Sequence, residues 1–245
     1  MSQKPTIVLV PGAGYPVETW HKIVTLMEAE QYKCVPVRLL SSASNAAATF
    51  LDDIQAVRSA ILAETTQGRD VVVVVHSYGA LPGHSASKGL TLPKDHDSSS
   101  SAASSSGHVL GFVGLTTGFT ATGMCFLDGT GGKPPPSWRA NEETGFVEFL
   151  AEPRGLFFHD VEEEEGKYWH AYAAWMDAPT WYLAATEDRA LPVEAQRMFV
   201  QMAKDAGGDV TVREIDSSHS PMLSRPRETA GFIMEAAASF AGRRG

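Results

Sequence analysis

The chain has 245 residues, of which 43% are hydrophobic, and its formal net charge is −9 at pH 7. A chain of this length and composition can bury one large core, and single α/β domains commonly reach this size. The negative charge argues against nucleic acid and anionic membrane surfaces as partners, because both are polyanions. No apolar run approaches the length of a membrane span.

Cysteine use and the N-terminal residues bear on the compartment. Cys34 and Cys125 are too few for a disulfide framework and suit a reducing compartment. The first five residues lead straight into an apolar run, which is unlike a secretory signal peptide. We therefore expect a cytoplasmic protein.

The first predicted strand, Thr6–Val10, runs into a glycine-rich loop, Pro11-Gly12-Ala13-Gly14. Glycines directly after a strand let the backbone turn sharply or approach a ligand closely. A dinucleotide fingerprint also needs a third glycine and an acidic residue after the next strand, and this chain lacks both. We interpret the loop as one wall of an oxyanion hole, with Gly12 at the pocket and the amide of Ala13 as a donor.

Two amphipathic helices and a short strand follow. The first helix carries apolar residues at helical spacing: Trp20, Ile23, Val24 and Met27. The second, with Thr49 as its N-cap, repeats the pattern: Phe50, Ile54, Val57 and Ile61. Between them, Cys34–Val37 predicts a strand near a sheet edge, because it contains Pro36. Alternating strands and helices are typical of a parallel sheet with crossover helices.

Five consecutive valines, Val71–Val75, predict a strand buried on both faces, and His76-Ser77-Tyr78-Gly79 follows at once. A serine on a strand-to-helix turn is a nucleophile elbow, in which the hydroxyl stands above the sheet. Ser77 is therefore the candidate nucleophile, and the amide of Tyr78 is the second candidate oxyanion donor. Val75 replaces the first glycine of the usual G-x-S-x-G pattern, and we expect it to crowd Gly79. For His76 we expect packing or hydrogen bonding.

The middle of the chain departs from this alternation. Residues 97–107 are rich in serine and predict a mobile surface loop. After a buried strand at Val109–Leu115, residues 116–177 mix glycines, prolines and scattered aromatics, which favours a cap inserted into a core of residues 1–115 and 178–245. Four cap residues are candidates to line a substrate pocket: Trp138, Phe157, Phe158 and His159. The alternative for any one aromatic is that it only packs the cap.

The last part of the chain supplies an acid and a base. Thr180–Ala185 predicts a strand, and the loop after it offers Glu187 and Asp188. Two neighbours in a loop rarely both point inward, and we favour Asp188. His219 follows the last strand, Val210–Ile215, and a final helix begins near Pro226.

The helix that Pro192 opens carries a predicted buried face: Ala195, Met198, Phe199 and Met202. Loops after parallel strands emerge at one edge of the sheet, so Ser77, Asp188 and His219 should meet there. The order serine, acid, histidine is characteristic of one hydrolase fold.

With these residues in place, the chain resembles the α/β-hydrolase superfamily over essentially its whole length. Within it, the chain is similar to the small-cap branch of plant methylesterases and hydroxynitrile lyases, particularly a fungal offshoot. The matching stretches are Val10–Gly14, His76–Gly79, Phe157–Asp160, Thr186–Pro192 and Ser218–Pro221. The resemblance implies a mainly parallel sheet with flanking helices and an inserted cap, and it implies the triad.

The expected function is a serine hydrolase that cleaves an ester, thioester or lactone of a small apolar metabolite, with no metal and no organic cofactor. Two alternatives stay open. One is a C–C bond lyase of the hydroxynitrile-lyase type, which relies on a cap lysine; Lys133 and Lys167 are the only cap lysines here. The other is a non-catalytic ligand receptor on the same fold. The expected partner is a small-molecule substrate, and a homodimer is left open.

Overall fold

A six-stranded parallel sheet forms the centre of the molecule, in a computed structural model that describes residues 4–42, 47–92, 106–119, 138–140, 147–149 and 178–243. The described strands are β1 Thr6–Val10, β2 Cys34–Pro36, β3 Val71–His76, β4 Val109–Leu115, β5 Trp138–Ala140, β6 Val147–Phe149, β7 Thr180–Ala185 and β8 Val210–Ile215. The sheet order is β2-β1-β3-β4-β7-β8, while β5 and β6 pair with each other as an antiparallel ribbon. All neighbours in the large sheet are parallel, which confirms the predicted α/β class.

Helices cover both faces of the sheet. They are α1 His21–Ala29, α2 Phe50–Thr65, α3 Ala80–Ser87, α4 Val193–Asp205, α5 Pro221–Ser224 and α6 Pro226–Gly242. Short 3-10 turns at Val17–Trp20, Leu40–Ser42 and Ser77–Gly79 complete the described elements. Helices α1 to α4 lie in four of the crossovers between parallel strands.

The valine run of β3 shows why the sheet is buried on both sides. Val72 and Val74 belong to the apolar cluster that includes residues of α1 and α6. Val71, Val73 and Val75 belong to the opposite cluster, which includes residues of α2 and α3. Successive side chains of a strand point to opposite faces, so a run without polar residues is what two covered faces demand.

Most of the predicted helix signals are confirmed. Thr49 caps α2 in a reciprocal capping box with Asp52. Apolar residues from both predicted helix stripes are buried, namely Trp20, Ile23, Met27, Val57 and Ile61, whereas Phe50 is exposed. The strand that contains Pro36 lies at the edge of the sheet, as predicted.

The buried face predicted for α4 is wrong. Met198 and Met202 are 53% and 56% exposed, and the helix instead buries Val193, Gln196, Val200 and Ala203. The buried positions keep helical spacing, but a glutamine stands among them. A polar residue in the stripe made the methionine face look the more apolar one.

Most of the predicted cap and Ser-rich loop lie outside the described residues. Of positions 116–177, the structure describes Thr116–Phe119 and the two strands β5 and β6, and of the Ser-rich loop only Ser106 and Gly107. Within the described parts of the chain, no helix combines the length and apolar character needed to cross a membrane.

Candidate active site

The turn after β3 holds Ser77 in an unusual backbone conformation. Its φ is +48°, in the left-handed region that residues other than glycine rarely adopt. A Cβ added to Gly79 would lie 2.5 Å from the carbonyl oxygen of Pro11 and 2.6 Å from that of Val10. Only glycine therefore fits where this turn crosses the end of β1. Strain at the serine and a glycine two residues later are the features of a nucleophile elbow.

The valine that departs from the usual elbow pattern is accommodated elsewhere. Crowding of Gly79 by Val75 was predicted, but the atoms nearest a Cβ at Gly79 belong to Val10 and Pro11. The side chain of Val75 instead points at α3, where a Cβ on Gly83 would lie 2.5 Å from its Cγ1. The prediction was wrong because successive strand residues point to opposite faces, which aims Val75 at the helix and not along the turn.

Ser77, His219 and Asp188 meet at the carboxyl edge of the sheet. The Nε2 atom of His219 lies 2.9 Å from the Oγ of Ser77, and its Nδ1 lies 2.7 Å from Oδ2 of Asp188. The histidine and the aspartate are buried, while the serine is half-buried. Glu187, the alternative acid, is exposed. The structure thus joins the three residues that the sequence order selected.

The carboxylate of Asp188 is held from both sides. Its Oδ1 accepts hydrogen bonds from the backbone amides of Ala190 and Leu191, each at 2.8 Å. Its Oδ2 accepts from His219 and, at 3.1 Å, from the side-chain amide of Gln196. Multiple donors fix a carboxylate in one orientation.

The backbone of His219 is anchored by two side chains. Its carbonyl oxygen accepts from Nε2 of His76 at 2.8 Å and from Oγ1 of Thr116 at 2.9 Å. Burial, followed by the charge of His219, lowers the pKa of His76 well below its ordinary value. His76 is therefore neutral at pH 7, with its one ring proton on the donating nitrogen. It supports the triad by hydrogen bonding, as predicted.

The glycine-rich loop after β1 passes directly beside the serine side chain. A Cβ on Gly12 would lie 2.6 Å from Nδ1 of His76 and 3.2 Å from Cβ of Ser77. Ala13 is half-buried in this loop, and Tyr78 is buried. The loop and the turn thus flank Ser77 from two sides, while the role of the Ala13 and Tyr78 amides as oxyanion donors stays a prediction.

One buried acid that sequence reasoning missed connects these two walls. Asp53 of α2 is fully buried and accepts hydrogen bonds from the Tyr78 hydroxyl at 2.7 Å and from the hydroxyl and amide of Ser41 at 2.5 and 3.0 Å. The next residue, Ser42, accepts a hydrogen bond from the amide of Gly14 at 3.0 Å. The signal was present: Asp53 stands four residues before Val57, within the buried stripe of α2.

The predicted pocket residues of the cap are not described at side-chain level. Trp138 lies in β5, where only the backbone is described, and Phe157, Phe158 and His159 lie outside the described residues. Their proximity to the site stays a prediction.

Comparison with known proteins agrees with this geometry. A model of the alpha/beta hydrolase family matches residues 7–232. The chain is 28% identical to "Alpha/beta hydrolase nvfD" of Aspergillus novofumigatus, over 96% of this chain and 97% of that protein. It is 26% identical to polyneuridine aldehyde esterase of Rauvolfia serpentina, over 95% of this chain and 96% of that protein.

Solved structures share the fold. A pyrethroid hydrolase from Sphingobium faniae JZ-2 superposes with a TM-score of 0.70 at 22% identity, covering 97% of this chain and 99% of the other. The crystal structure of polyneuridine aldehyde esterase superposes with a TM-score of 0.69 at 19% identity, covering 96% of this chain and all of the other.

Proposed function

The chain belongs to the alpha/beta hydrolase family, and we propose that within it the protein is a serine esterase that works through Ser77, His219 and Asp188. One observation carries the proposal. His219 stands between the other two residues, 2.9 Å from the Ser77 hydroxyl on one ring nitrogen and 2.7 Å from the Asp188 carboxylate on the other. A nucleophile, a base and a group that orients the base at hydrogen-bond distance is the arrangement that acyl transfer needs.

The acylation step follows from this geometry. Ser77 Oγ attacks the carbonyl carbon of the substrate while its proton passes to Nε2 of His219. Asp188 holds the Nδ1 proton of the ring, which fixes the tautomer and stabilises the imidazolium. The carbonyl oxygen becomes an oxyanion between the loop of Ala13 and the amide of Tyr78, where each donor contributes about 3 kcal/mol. The C–O or C–S bond then breaks, and the His219 proton goes to the leaving group.

Deacylation reverses these roles. His219 takes a proton from a water molecule, the hydroxide attacks the acyl carbon, and the Ser77–acyl bond breaks. The proton on His219 returns to Ser77 Oγ and the carboxylic acid leaves. The sequence of steps balances with water as the only second substrate and does not require a redox partner.

The substrate class is part of the proposal. We favour an ester, thioester or lactone of a small apolar metabolite. A relative named an esterase and a structural neighbour named a pyrethroid hydrolase support carboxylic ester chemistry on this fold. The aromatic residues of segment 116–177 are the proposed source of the apolar pocket.

The decisive experiment is labelling with a fluorophosphonate probe, followed by peptide mapping and by turnover of p-nitrophenyl butyrate. The wild-type protein should be labelled on Ser77, and Ser77→Ala should lose labelling and lower kcat by at least ~10⁴-fold. Ser85→Ala is a matched control, because Ser85 is a half-buried serine of the following helix. Labelling elsewhere, or undiminished turnover by Ser77→Ala, would remove Ser77 from the mechanism.

A further inference from the structure

Gln196 is a fully buried amide that the proposed reaction does not use directly. It lies in the first turns of α4, and each of its polar atoms has partners. Its Oε1 accepts from the amide of Ala185 at 3.2 Å, and its Nε2 faces the carbonyl oxygens of Leu191 at 2.7 Å and Ala185 at 3.2 Å. Nε2 also faces Oδ2 of Asp188 at 3.1 Å. A buried amide is stable only when it is satisfied in this way.

The chemistry of these partners fixes which way the amide points. The Ala185 N–H group requires an acceptor, so the oxygen of Gln196 must face it. The acceptors on the other side, among them the Asp188 carboxylate, require N–H donors. A flipped amide would set donor against donor and acceptor against acceptor. Gln196 therefore donates to Asp188, at the same oxygen that accepts the hydrogen bond from His219.

The amide also connects toward the nucleophile. The Tyr182 hydroxyl shares its single proton between two acceptors, the carbonyl oxygen of Thr117 at 2.5 Å and, more weakly, Oε1 of Gln196 at 3.3 Å. Oγ1 of Thr117 donates to the carbonyl oxygen of Ser77 at 2.5 Å. A buried polar path thus runs from Asp188 through Gln196, Tyr182 and Thr117 to the backbone of Ser77. It joins the two ends of the triad independently of His219.

From these hydrogen bonds we propose that Gln196 is the positioning residue of the Asp188–His219 pair. Tyr182 and Thr117 connect Gln196 to the backbone of Ser77 in the nucleophile elbow. This proposal rests on the proposed serine hydrolase mechanism. The N–H group of Gln196 pins the aspartate oxygen that orients the imidazole. Without it, the carboxylate keeps the two amide hydrogen bonds at Oδ1 but loses the donor that accompanies His219 at Oδ2, so the Nε2 atom of His219 can move away from the line to the serine hydroxyl. Misplacement of this kind lowers the rate of proton transfer and leaves substrate binding unchanged.

The test is Gln196→Glu, which keeps the shape of the side chain but removes the N–H donor and places a second carboxyl group beside Asp188. The rate of fluorophosphonate labelling and kcat for p-nitrophenyl butyrate should each fall about 10- to 100-fold, with KM unchanged. The pH profile of labelling should also change, because two buried carboxyl groups at this distance compete for one proton. Rates are normalised to labelled sites, so a loss of folded protein alone does not lower them.

The chain supplies a matched control. Gln201 on the exposed side of the same helix donates to Oδ1 of Asp205 at 2.7 Å, so Gln201→Glu makes the same chemical change far from the triad. It should leave labelling rate, kcat and pH profile unchanged. If Gln196→Glu does not fold, Tyr182→Phe decides, because it removes only the hydroxyl; kcat should fall about 3- to 10-fold at constant KM.

The two proposals fail in different ways. If the wild-type protein is not labelled on Ser77, the serine hydrolase mechanism fails. If the wild-type protein is labelled but Gln196→Glu matches it in labelling rate and pH profile, the positioning role is overturned and Gln196 serves only to stabilise the fold. If Gln196→Glu does not fold and Tyr182→Phe is used instead, an unchanged kcat in Tyr182→Phe would overturn the positioning role of Gln196.

Discussion

The central sheet has a carboxyl edge, where its parallel strands end, and an opposite edge, where they begin. Each of these edges holds a buried carboxylate, and the two carboxylates have very different partners. At the carboxyl edge, Asp188 faces His219. At the opposite edge, Glu64 of α2 is 5% exposed. Its Oε2 accepts from the hydroxyl of Thr6 at 2.9 Å and from Nε of Arg69 at 2.7 Å, and its Oε1 accepts from Lys33 at 2.7 Å. These partners lie at or just before the first residues of β1, β2 and β3, so Glu64 connects the beginnings of three strands by hydrogen bonds.

The partner decides what a buried carboxylate does. Arg69, whose hydrogen bond is the largest cause, and then Lys33 and Thr6 lower the pKa of Glu64 to about 2, although burial alone would raise it. The hydrogen bond with Glu64 also raises the pKa of Arg69, so the charges of this pair do not change near neutral pH. Asp188 faces the imidazole of His219, the group that carries the proton in the proposed mechanism. The carboxylate of Glu64 therefore stabilises one edge of the sheet, whereas that of Asp188 serves proton transfer at the other.

The sharpest test of this comparison is Asp188→Asn. The wrong histidine tautomer should lower kcat by about 10³- to 10⁴-fold, equivalent to about 4–5.5 kcal/mol of transition-state stabilisation. Melting temperature and fluorescence should show a folded protein. Glu187→Gln is the control, because Glu187 is the exposed neighbour and its change should alter kcat less than about twofold. A reversal of the two effects would mean that the wrong acid was chosen.

Glu64→Gln tests the other edge and should have the opposite phenotype. The free energy of unfolding should fall by about 2–3 kcal/mol, an estimate from the pKa shift reduced for the exposure of Lys33. Urea denaturation measures this loss. The kcat per labelled site should not change, because the residue lies at the far edge of the sheet. A loss of kcat without a loss of stability would contradict the separation of roles.

The same residue predicts a pH dependence of stability. The pKa of Glu64 is lower in the folded protein than the ordinary value of 4.5. Its contribution is therefore complete above about pH 4.5 and is lost as the pH falls toward 2. The difference in unfolding free energy between wild-type protein and Glu64→Gln should shrink across that window. A difference that stays constant from pH 6 to pH 2 would show that the carboxylate charge is not what stabilises this edge.

The sequence was informative where one residue type has few uses. The unbroken valines of β3 required a sheet covered on both faces, and the order of Ser77, Asp188 and His219 along a parallel sheet placed all three at one edge. The cap on α2 was readable because Thr49 and Asp52 are local to each other. Each of these inferences depends on chain-local pattern or on the parallel topology alone.

What the sequence did not reveal depends on contacts between distant elements. Gln196 and Asp53 are polar residues in buried helix stripes, and their partners, Asp188 and Tyr78, come from other elements. In each case an apolar pattern is interrupted by a residue that only tertiary structure can satisfy, so pattern reading placed the buried face of α4 wrongly. The contact of Val75 with Gly83 was missed for another reason, because the alternation of side chains along β3 directs Val75 at α3 and not along the turn.

Gly83→Ala tests the packing of Val75 against α3, and we expect a smaller effect than for the preceding variants. A methyl group there would lie 2.5 Å from Cγ1 of Val75, a stiff β-branched side chain. The overlap should outweigh the gain in helix propensity and lower the unfolding free energy by about 1–2 kcal/mol. In a double-mutant cycle with Val75→Ala, the two changes should compensate by about 1 kcal/mol. Strict additivity would show that the two residues do not press on each other.

The smallest effect should come from shortening the Ser-rich segment by residues 98–105. Its flanks are already joined at the edge of the sheet that holds Glu64: the amide of Val109 donates to the carbonyl of Leu90 at 2.8 Å, and the amide of Gly107 donates to that of Thr65 at 2.8 Å. Gly107 must stay, because a Cβ there would lie 2.1 Å from the Arg69 carbonyl oxygen.

The deletion about halves a connection whose ends are fixed, and loop-closure entropy then changes stability by only about 0.6 kcal/mol. The described flanks of the deletion lie at the edge of the sheet opposite Ser77, so the labelling rate and kcat should also stay within twofold. Melting temperature and fluorophosphonate labelling of the shortened protein measure both. A large fall in labelling with an unchanged melting temperature would mean that this segment reaches the carboxyl edge. The proposal that one edge of the sheet serves catalysis and the other serves stability would then be wrong.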